Sequence, residues 1–595
     1  MRAGKYKMSI IAALMVSSSL FGLLLQGTVI HSQTVKQLPT RIRIEDTPAD
    51  ITILGGLGRV IGTGDFNGDG IEDFLVEYTK IVGDLQEIVF LNFGMIFGKR
   101  NQTQPYTINL ATDEPDLSLT TGVKGIFGSS SIAKLGDLNG DGIDDIELIQ
   151  QLPGETGNPK PVVFRLFFGS SRLQPGVLDL DAMAPDLKII SDKRTFASGI
   201  AGVADVNGDG VKDLLLTQNA NYINFALPIL LGPFMSGQTI DLNSQQPDAI
   251  IRANNRVDNI NSVYLADVNG DTLTDMLIKK SRFDSRIGLY FSALDIVFGS
   301  PNLKAGAEIS LSDGQADATV TAGFDFSVVA TGDVNGDGID DLLFGEPTYY
   351  GEPAPPEWFS GSVRIMLGSR SIRGTVDRTD EFIFGIPPPS PFHALYQLTL
   401  GDHLGESLAV RDINGDGVPD ILIGAPGATS NENGRFEYLS RAYVILGSTE
   451  IKSGAQINTA QSQQDITISF NSKTSSVGRQ VGSGDFNGDG VSDILVGSDS
   501  NVYVFFGGPL RPPEITKAKY RSSSSDVIIF GTDLTGSARL EINGVVVDRE
   551  VSFDPDTNKL VLHGDPSELN LRDGKNQVAV IRNGARSNTI KLKIQ

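Results

Sequence analysis

A nine-residue run of aspartate, asparagine and glycine recurs seven times between residues 65 and 493, and no other feature constrains the fold as strongly. The copies read DFNGDGIED from 65, DLNGDGIDD from 137, DVNGDGVKD from 205, DVNGDTLTD from 267, DVNGDGIDD from 333, DINGDGVPD from 412 and DFNGDGVSD from 485. Their starts lie 72, 68, 62, 66, 79 and 73 residues apart. Repetition at such a period means one supersecondary unit copied along the chain, each copy burying its neighbours. A chain of 595 residues exceeds what a single ordinary core organises, so a repeat architecture is expected.

Each copy sets oxygen-bearing side chains at positions 1, 3, 5 and 9 and an apolar residue, whose carbonyl is a further donor, at position 7. In the first copy these are Asp65, Asn67, Asp69, Asp73 and Ile71; in the second, Asp137, Asn139, Asp141, Asp145 and Ile143. The third has Asp205, Asn207, Asp209, Asp213 and Val211, and the fourth Asp267, Asn269, Asp271, Asp275 and Leu273. The fifth has Asp333, Asn335, Asp337, Asp341 and Ile339; the sixth, Asp412, Asn414, Asp416, Asp420 and Val418; the seventh, Asp485, Asn487, Asp489, Asp493 and Val491. Alternate side chains of a tightly wound loop converge, and hard calcium takes six to eight such oxygens. About seven structural calcium ions are therefore expected. The loop is not an EF-hand, because position 12, where a bidentate Glu is required, holds Val76, Leu148, Leu216, Ile278, Phe344, Ile423 and Val496. In the fourth copy Thr272 replaces a turn glycine, which implies a strained conformation and a weaker site.

Positions 1, 5 and 9 of the loops carry 21 acidic groups in a chain of net charge -23, a balance that suits cations and opposes nucleic acid. With no cysteine, disulfides and thiolate chemistry are excluded and cations are the expected staple. Arg2, Lys5 and Lys7 precede an apolar stretch from Met8 to Leu25, so residues 1–32 read as a signal peptide or uncleaved anchor and the protein as exported, secreted or held at the cell surface or periplasm. That anchor is the sole membrane contact expected.

Around each loop the grammar is a short strand, the loop, an apolar strand such as DILIGA, and a second apolar strand ending in Gly, such as AYVILG. Four strands per repeat without helices give an all-β fold, a seven-bladed β-propeller over residues 40–508, since radial blades bury both sheet faces and leave short edges. The seventh repeat stops at Pro509 without its fourth strand, and RIRIEDTPADITIL, residues 41–54, is expected to complete that blade as its outer strand. After Pro512-Pro513, residues 512–595 form a series of short strands with a hairpin at Asn543-Gly544, read as a small immunoglobulin-like sandwich.

The repeats, with FGEP at 344–347 and IGAP at 423–426, resemble the FG-GAP repeats of the integrin α-subunit propeller and related bacterial proteins. The tail resembles IPT/TIG domains. In the FG-GAP family the loop oxygens carry calcium, and the resemblance implies that role for the positions named above.

The expected function is recognition or adhesion, with a protein or glycan as partner; an enzyme with its site in propeller loops (hydrolase or lyase) and a cell-envelope spacer are the alternatives. The chain is expected not to be an enzyme. Of four histidines, His31 falls in the export segment and His563 in the tail, and His393 and His403 share one loop region where solvated or packed histidines are the rule. Loops opposite the calcium face carry Tyr349, Tyr350, Trp358 and Phe359 in the fifth blade, Phe392, His393 and Tyr396 in the crossing that follows, and Phe436 and Tyr438 in the sixth. These are the candidate partner-binding residues, the composition of a hot spot or sugar platform.

Overall fold

The computed structural model describes residues 36–594 apart from 56–58, 82–88, 122–129, 152–160, 193–198, 221–223, 254–257, 285–288, 322–325, 327, 348–360, 378–381, 386–402, 428, 433–434, 453–455, 458–462, 472–475 and 555–556. Among these, the protein is all-β: the sole helical element is a 3-10 turn at Leu311–Asp313. The export segment lies outside the described residues, and no described helix is long and apolar enough to cross a membrane.

Strands Arg59–Gly64, Asp73–Ile81, Val89–Ile96 and Leu117–Thr120 follow one another in the first sheet, antiparallel, with the acidic loop between the first two. The same order recurs through the sheets that begin at Ser130, Gly199, Asp258, Val328, Leu408 and Gln480. Their first strands touch in sequence, and the strand Gln480–Gly484 touches Arg59–Gly64, so the series returns to its start. Apolar side chains alternate between faces and pack between neighbouring sheets; Phe74 of the first sheet stacks on Phe486 of the last, ring centroids 4.1 Å apart. Such radial sheets are consistent with a β-propeller.

The four-strand expectation needs correction, because the sheets have five strands or, in the case begun at Leu408, six. In the first sheet the fifth is Gly176–Asp179, which pairs in parallel with Leu117–Thr120 but belongs to the next repeat. Six of the seven outer edges are covered by a strand lent from the next repeat, which removes an exposed edge. The sequence pattern missed these strands because they are four residues or shorter with little apolar content, as in Gly176–Asp179.

Closure uses the N-terminal segment, divided between two sheets. Ile51–Leu54 pairs antiparallel with Asn501–Phe505 as the fourth strand of the last sheet, as its sequence led one to expect. Arg41–Arg43 instead pairs in parallel with Ile466–Asn471 of the sheet before. The last repeat runs into the tail and lends no strand backwards, so the N-terminus fills that place.

From Glu514 the chain builds two further sheets that share one core, including Ile515, Val527, Leu540, Leu560, Val578 and Leu592. The Asn543-Gly544 hairpin has φ of 53° and 80°, the left-handed pair that its sequence calls for. The tail is tied to the closure region. Arg582, almost wholly buried, donates from both terminal nitrogens to the carbonyls of Asp533 and Arg511, Asn583 donates to the Asp465 carboxylate at 2.6 Å, and the Thr40 N–H donates to Asp533.

Candidate metal loops

The acidic loops fold into one conformation, written in the sequence by where carboxylates and glycines fall. In each loop the first aspartate accepts backbone N–H groups from positions 5 and 6, and in six of the seven from position 4 as well. Asp65 takes those of Gly68, Asp69 and Gly70 at 2.7, 3.1 and 2.8 Å, and Asp412 those of Gly415, Asp416 and Gly417 at 2.8, 3.2 and 2.8 Å. The Asn67 amide oxygen accepts the Asp69 N–H and the Asp69 carboxylate the Ile71 N–H, both at 2.9 Å, and the other copies repeat both bonds. Positions 4 and 6 lie at positive φ; Thr272 does too, at 74°, so the strain expected of the fourth loop is present.

Position 9 is different. Asp73, Asp145, Asp213, Asp275, Asp341, Asp420 and Asp493 are all fully buried. One oxygen of each accepts the N–H of position 2, and the other accepts the N–H of the glycine that ends the third strand: Gly98, Gly169, Gly232, Gly299, Gly368, Gly447 or Gly507, at 2.8–3.1 Å. Those glycines are obligatory by contact, since a Cβ on Gly447 would stand 2.1 Å from the Pro419 carbonyl. The position 2 side chains, Phe66 to Phe486, are buried beside them and anchor the loop to the core. Burial, and then repulsion from the aspartates at positions 1 and 5, pushes the buried carboxyls far above 3.8, with Asp73, Asp420 and Asp493 at about 8, against the lowering effect of their backbone hydrogen bonds. Asp213 reaches about 6, and Asp145, Asp275 and Asp341 about 7.

A second recurring carboxylate escaped the sequence reading. Asp116, Asp186, Asp248, Asp317, Asp465 and Asp50 precede the fourth strands and accept the N–H of Phe97, Phe168, Leu231, Phe298, Leu446 and Phe506 at 2.8–3.0 Å. The signal was available in EPDLSL, APDLKI, QPDAII and PADITI.

Neighbouring loops are joined. Ile71, Leu273, Ile339, Val418 and Val491 at position 7 lie against the position 4 glycine of the preceding loop, as does Ile143 against Gly68. The N–H of Asp144 donates to the Asp65 carbonyl at 2.8 Å and that of Glu72 to the Asp485 carbonyl at 3.0 Å, which links the first loop to the last. Position 7 therefore serves inter-loop packing through its side chain as well as offering a carbonyl.

Three carboxylates and an amide oxygen per loop form an all-oxygen donor set, which fits a hard divalent cation. As the side chains stand, the first carboxylate spends its oxygens on N–H groups, and no group of three or more His, Cys, Asp or Glu side chains is gathered as a metal site among the described residues.

Of the expected partner-binding residues, Tyr349, Tyr350, Trp358, Phe359, Phe392, His393 and Tyr396 lie outside the described residues. Phe436 and Tyr438 sit on a strand rather than in a loop: Thr429–Glu432 and Arg435–Ile445 make a hairpin that sets Phe436 opposite Asn431 and Tyr438 opposite Thr429. His403 has φ 51° and stands 3.7 Å from Glu406, and His563 meets Asp526 at 2.8 Å in the tail, far along the chain from it.

The FG-GAP repeat family model matches residues 326–362, 404–444 and 477–505, which include the acidic loops of the fifth, sixth and seventh repeats. The chain is similar to Integrin alpha-PS2 of Drosophila melanogaster, 31% identical over 159 residues, which is 24% of this chain and 11% of that protein. It is also similar to phosphatidylinositol-glycan-specific phospholipase D of Rattus norvegicus (30% over 177 residues, 29% of this chain and 18% of the relative) and of Homo sapiens (27% over 256 residues, 41% and 26%). These matches support an integrin-like FG-GAP repeat protein. The chain spans between 11% and 26% of the length of these relatives. The expectation that the chain is not an enzyme is overturned by them, because a phospholipase D stands among its relatives beside an integrin.

Proposed function

We propose that the chain is an exported seven-bladed propeller with a calcium ion in each acidic loop and an immunoglobulin-like terminal domain of the IPT/TIG kind, working as a rigid recognition platform for a protein or glycan. The observation that carries the reading is the joining of acidic loops to their neighbours by backbone hydrogen bonds at four junctions, Asp65–Asp144, Asp267–Asp340, Asp412–Ser492 and Asp485–Glu72. Cations held by loops that touch their neighbours stiffen the face they share, and a stiff face loses little entropy on binding. The similarity to Integrin alpha-PS2 supports the same reading. A binding screen of the chain against extracellular proteins and glycan arrays, with calcium and with chelator, tests it. Calcium-dependent capture is expected; capture unaltered by chelator would separate recognition from the metal loops.

The phospholipase D relatives favour a second reading, in which the chain takes part in cleavage of phosphatidylinositol glycan. Incubation with a glycan-anchored protein and assay of its release decides that reading directly.

A further inference from the structure

The terminal sandwich has a charge pattern unlike the rest of the chain. From Glu514 onward there are twelve Lys and Arg against eleven Asp and Glu, whereas the preceding residues hold 37 against 61. Within the sandwich the charges are sorted. Arg549 pairs with Glu568, Lys559 with Asp554 and Arg586 with Glu541, and Arg521 stands opposite Asp526. Lys517, Lys519, Lys575, Lys591 and Lys593 are all exposed. These five lie together. Strand Glu514–Arg521 edges one sheet and Ile590–Ile594 edges the other, and the two strands lie side by side. The Asn588 side chain clamps their starts, accepting the Ile515 N–H at 2.7 Å and donating to the Ile515 carbonyl at 2.9 Å. Register sets Lys593 directly opposite Lys575 and Lys591 opposite the exposed Gln577.

We propose that this strip binds a linear anionic polysaccharide. Lysines two residues apart on a strand are spaced by about 7 Å, so the two strands present parallel rows of cations suited to a polymer with charges at intervals. Like charges directly opposite, as at Lys575 and Lys593, destabilise a sheet, and a polyanion laid between them reverses the sign of that interaction. Lysines on edge strands also deter edge-to-edge association. That purpose needs no facing pair within one sheet, yet Lys575 and Lys593 stand directly opposite each other. A membrane surface is less suited, since the large exposed apolar residues of the tail, Val545 and Val546, lie on the opposite edge of the same sheet.

The site is independent of the acidic loops, and the experiment keeps the two apart. The full chain is titrated with dextran sulfate and with neutral dextran, in calcium and in chelator, alongside a Lys575→Gln/Lys591→Gln/Lys593→Gln variant and the matching Lys→Arg variant. Dextran sulfate alone should bind, more weakly as salt rises. The Gln variant should bind at least about tenfold more weakly with a melting temperature no lower than that of the unaltered chain, and the Arg variant should retain binding, as expected for charge-led recognition. Equal binding by the Gln variant, or binding lost in chelator but not in the variant, overturns the proposal. So does binding to phosphatidylglycerol vesicles, or salt-sensitive self-association, without binding of dextran sulfate.

Discussion

The carboxylate of Asp420 joins two points of the sixth repeat, accepting the N–H of Ile413 at 2.9 Å and that of Gly447 at 2.8 Å. The residue that the loop spacing makes the last oxygen of an expected cation site thus ties that loop to the end of the third strand. Replacing it with Asn substitutes a donor for one acceptor and leaves a buried N–H facing it, so Asp420→Asn should lower unfolding stability by about 1–3 kcal/mol even in chelator. Denaturant unfolding of the calcium-free protein checks this. An unchanged midpoint would mean that the aspartate acts through the cation alone.

The seven buried carboxyls fix the direction of the pH dependence. A carboxyl with a raised folded pKa holds its proton more tightly folded than unfolded, so the calcium-free fold loses stability as pH climbs from 3.8 toward about 8. Calcium bound as proposed would favour the ionised form and offset that loss. Melting temperature in chelator should be higher at pH 5 than at pH 8, and the increment from calcium larger at pH 8. Scanning calorimetry at the two pH values decides, and a calcium increment that shrinks as pH rises would contradict the account.

Thr272 occupies, at φ 74°, a turn that the other loops give to glycine. Thr272→Gly removes about 1–2 kcal/mol of left-handed strain, offset in part by the greater freedom of an unfolded glycine. A net gain of several tenths of a kcal/mol is expected with tighter calcium binding at that loop, read by denaturant unfolding and calorimetric titration.

Closure gives a local prediction. Ile51–Leu54 lies between Asn501–Phe505 and the strand Tyr106–Asn109, while Arg41–Arg43 covers Ile466–Asn471. Deleting residues 36–54 should speed amide exchange first in the last two sheets, at 466–471 and 501–505. Faster exchange confined to 59–81 would show that the segment supports the first sheet instead.

Much of this architecture was legible in the sequence because its determinants are local. Seven copies of one loop fixed the repeat, and DILIGA and AYVILG gave the second and third strands of the sixth. What escaped was set by partners distant in sequence. Gly176–Asp179 is a strand only because Leu117–Thr120 offers it an edge, and nothing in GVLD announces that. Asp465 was hidden for a similar reason: its partners are Leu446 and, across 118 residues, Asn583. The division of residues 41–54 between two sheets follows from which edges remain uncovered, a property of the whole ring. The loop ligands were readable by spacing, whereas the backbone bonds of Asp420 and its counterparts required the third strand to be in place.

Calcium in the acidic loops is read most directly from the metal content of the purified chain. Elemental analysis after equilibration at millimolar calcium should return about seven ions per chain, one for each of the seven loops. Two or fewer would contradict it.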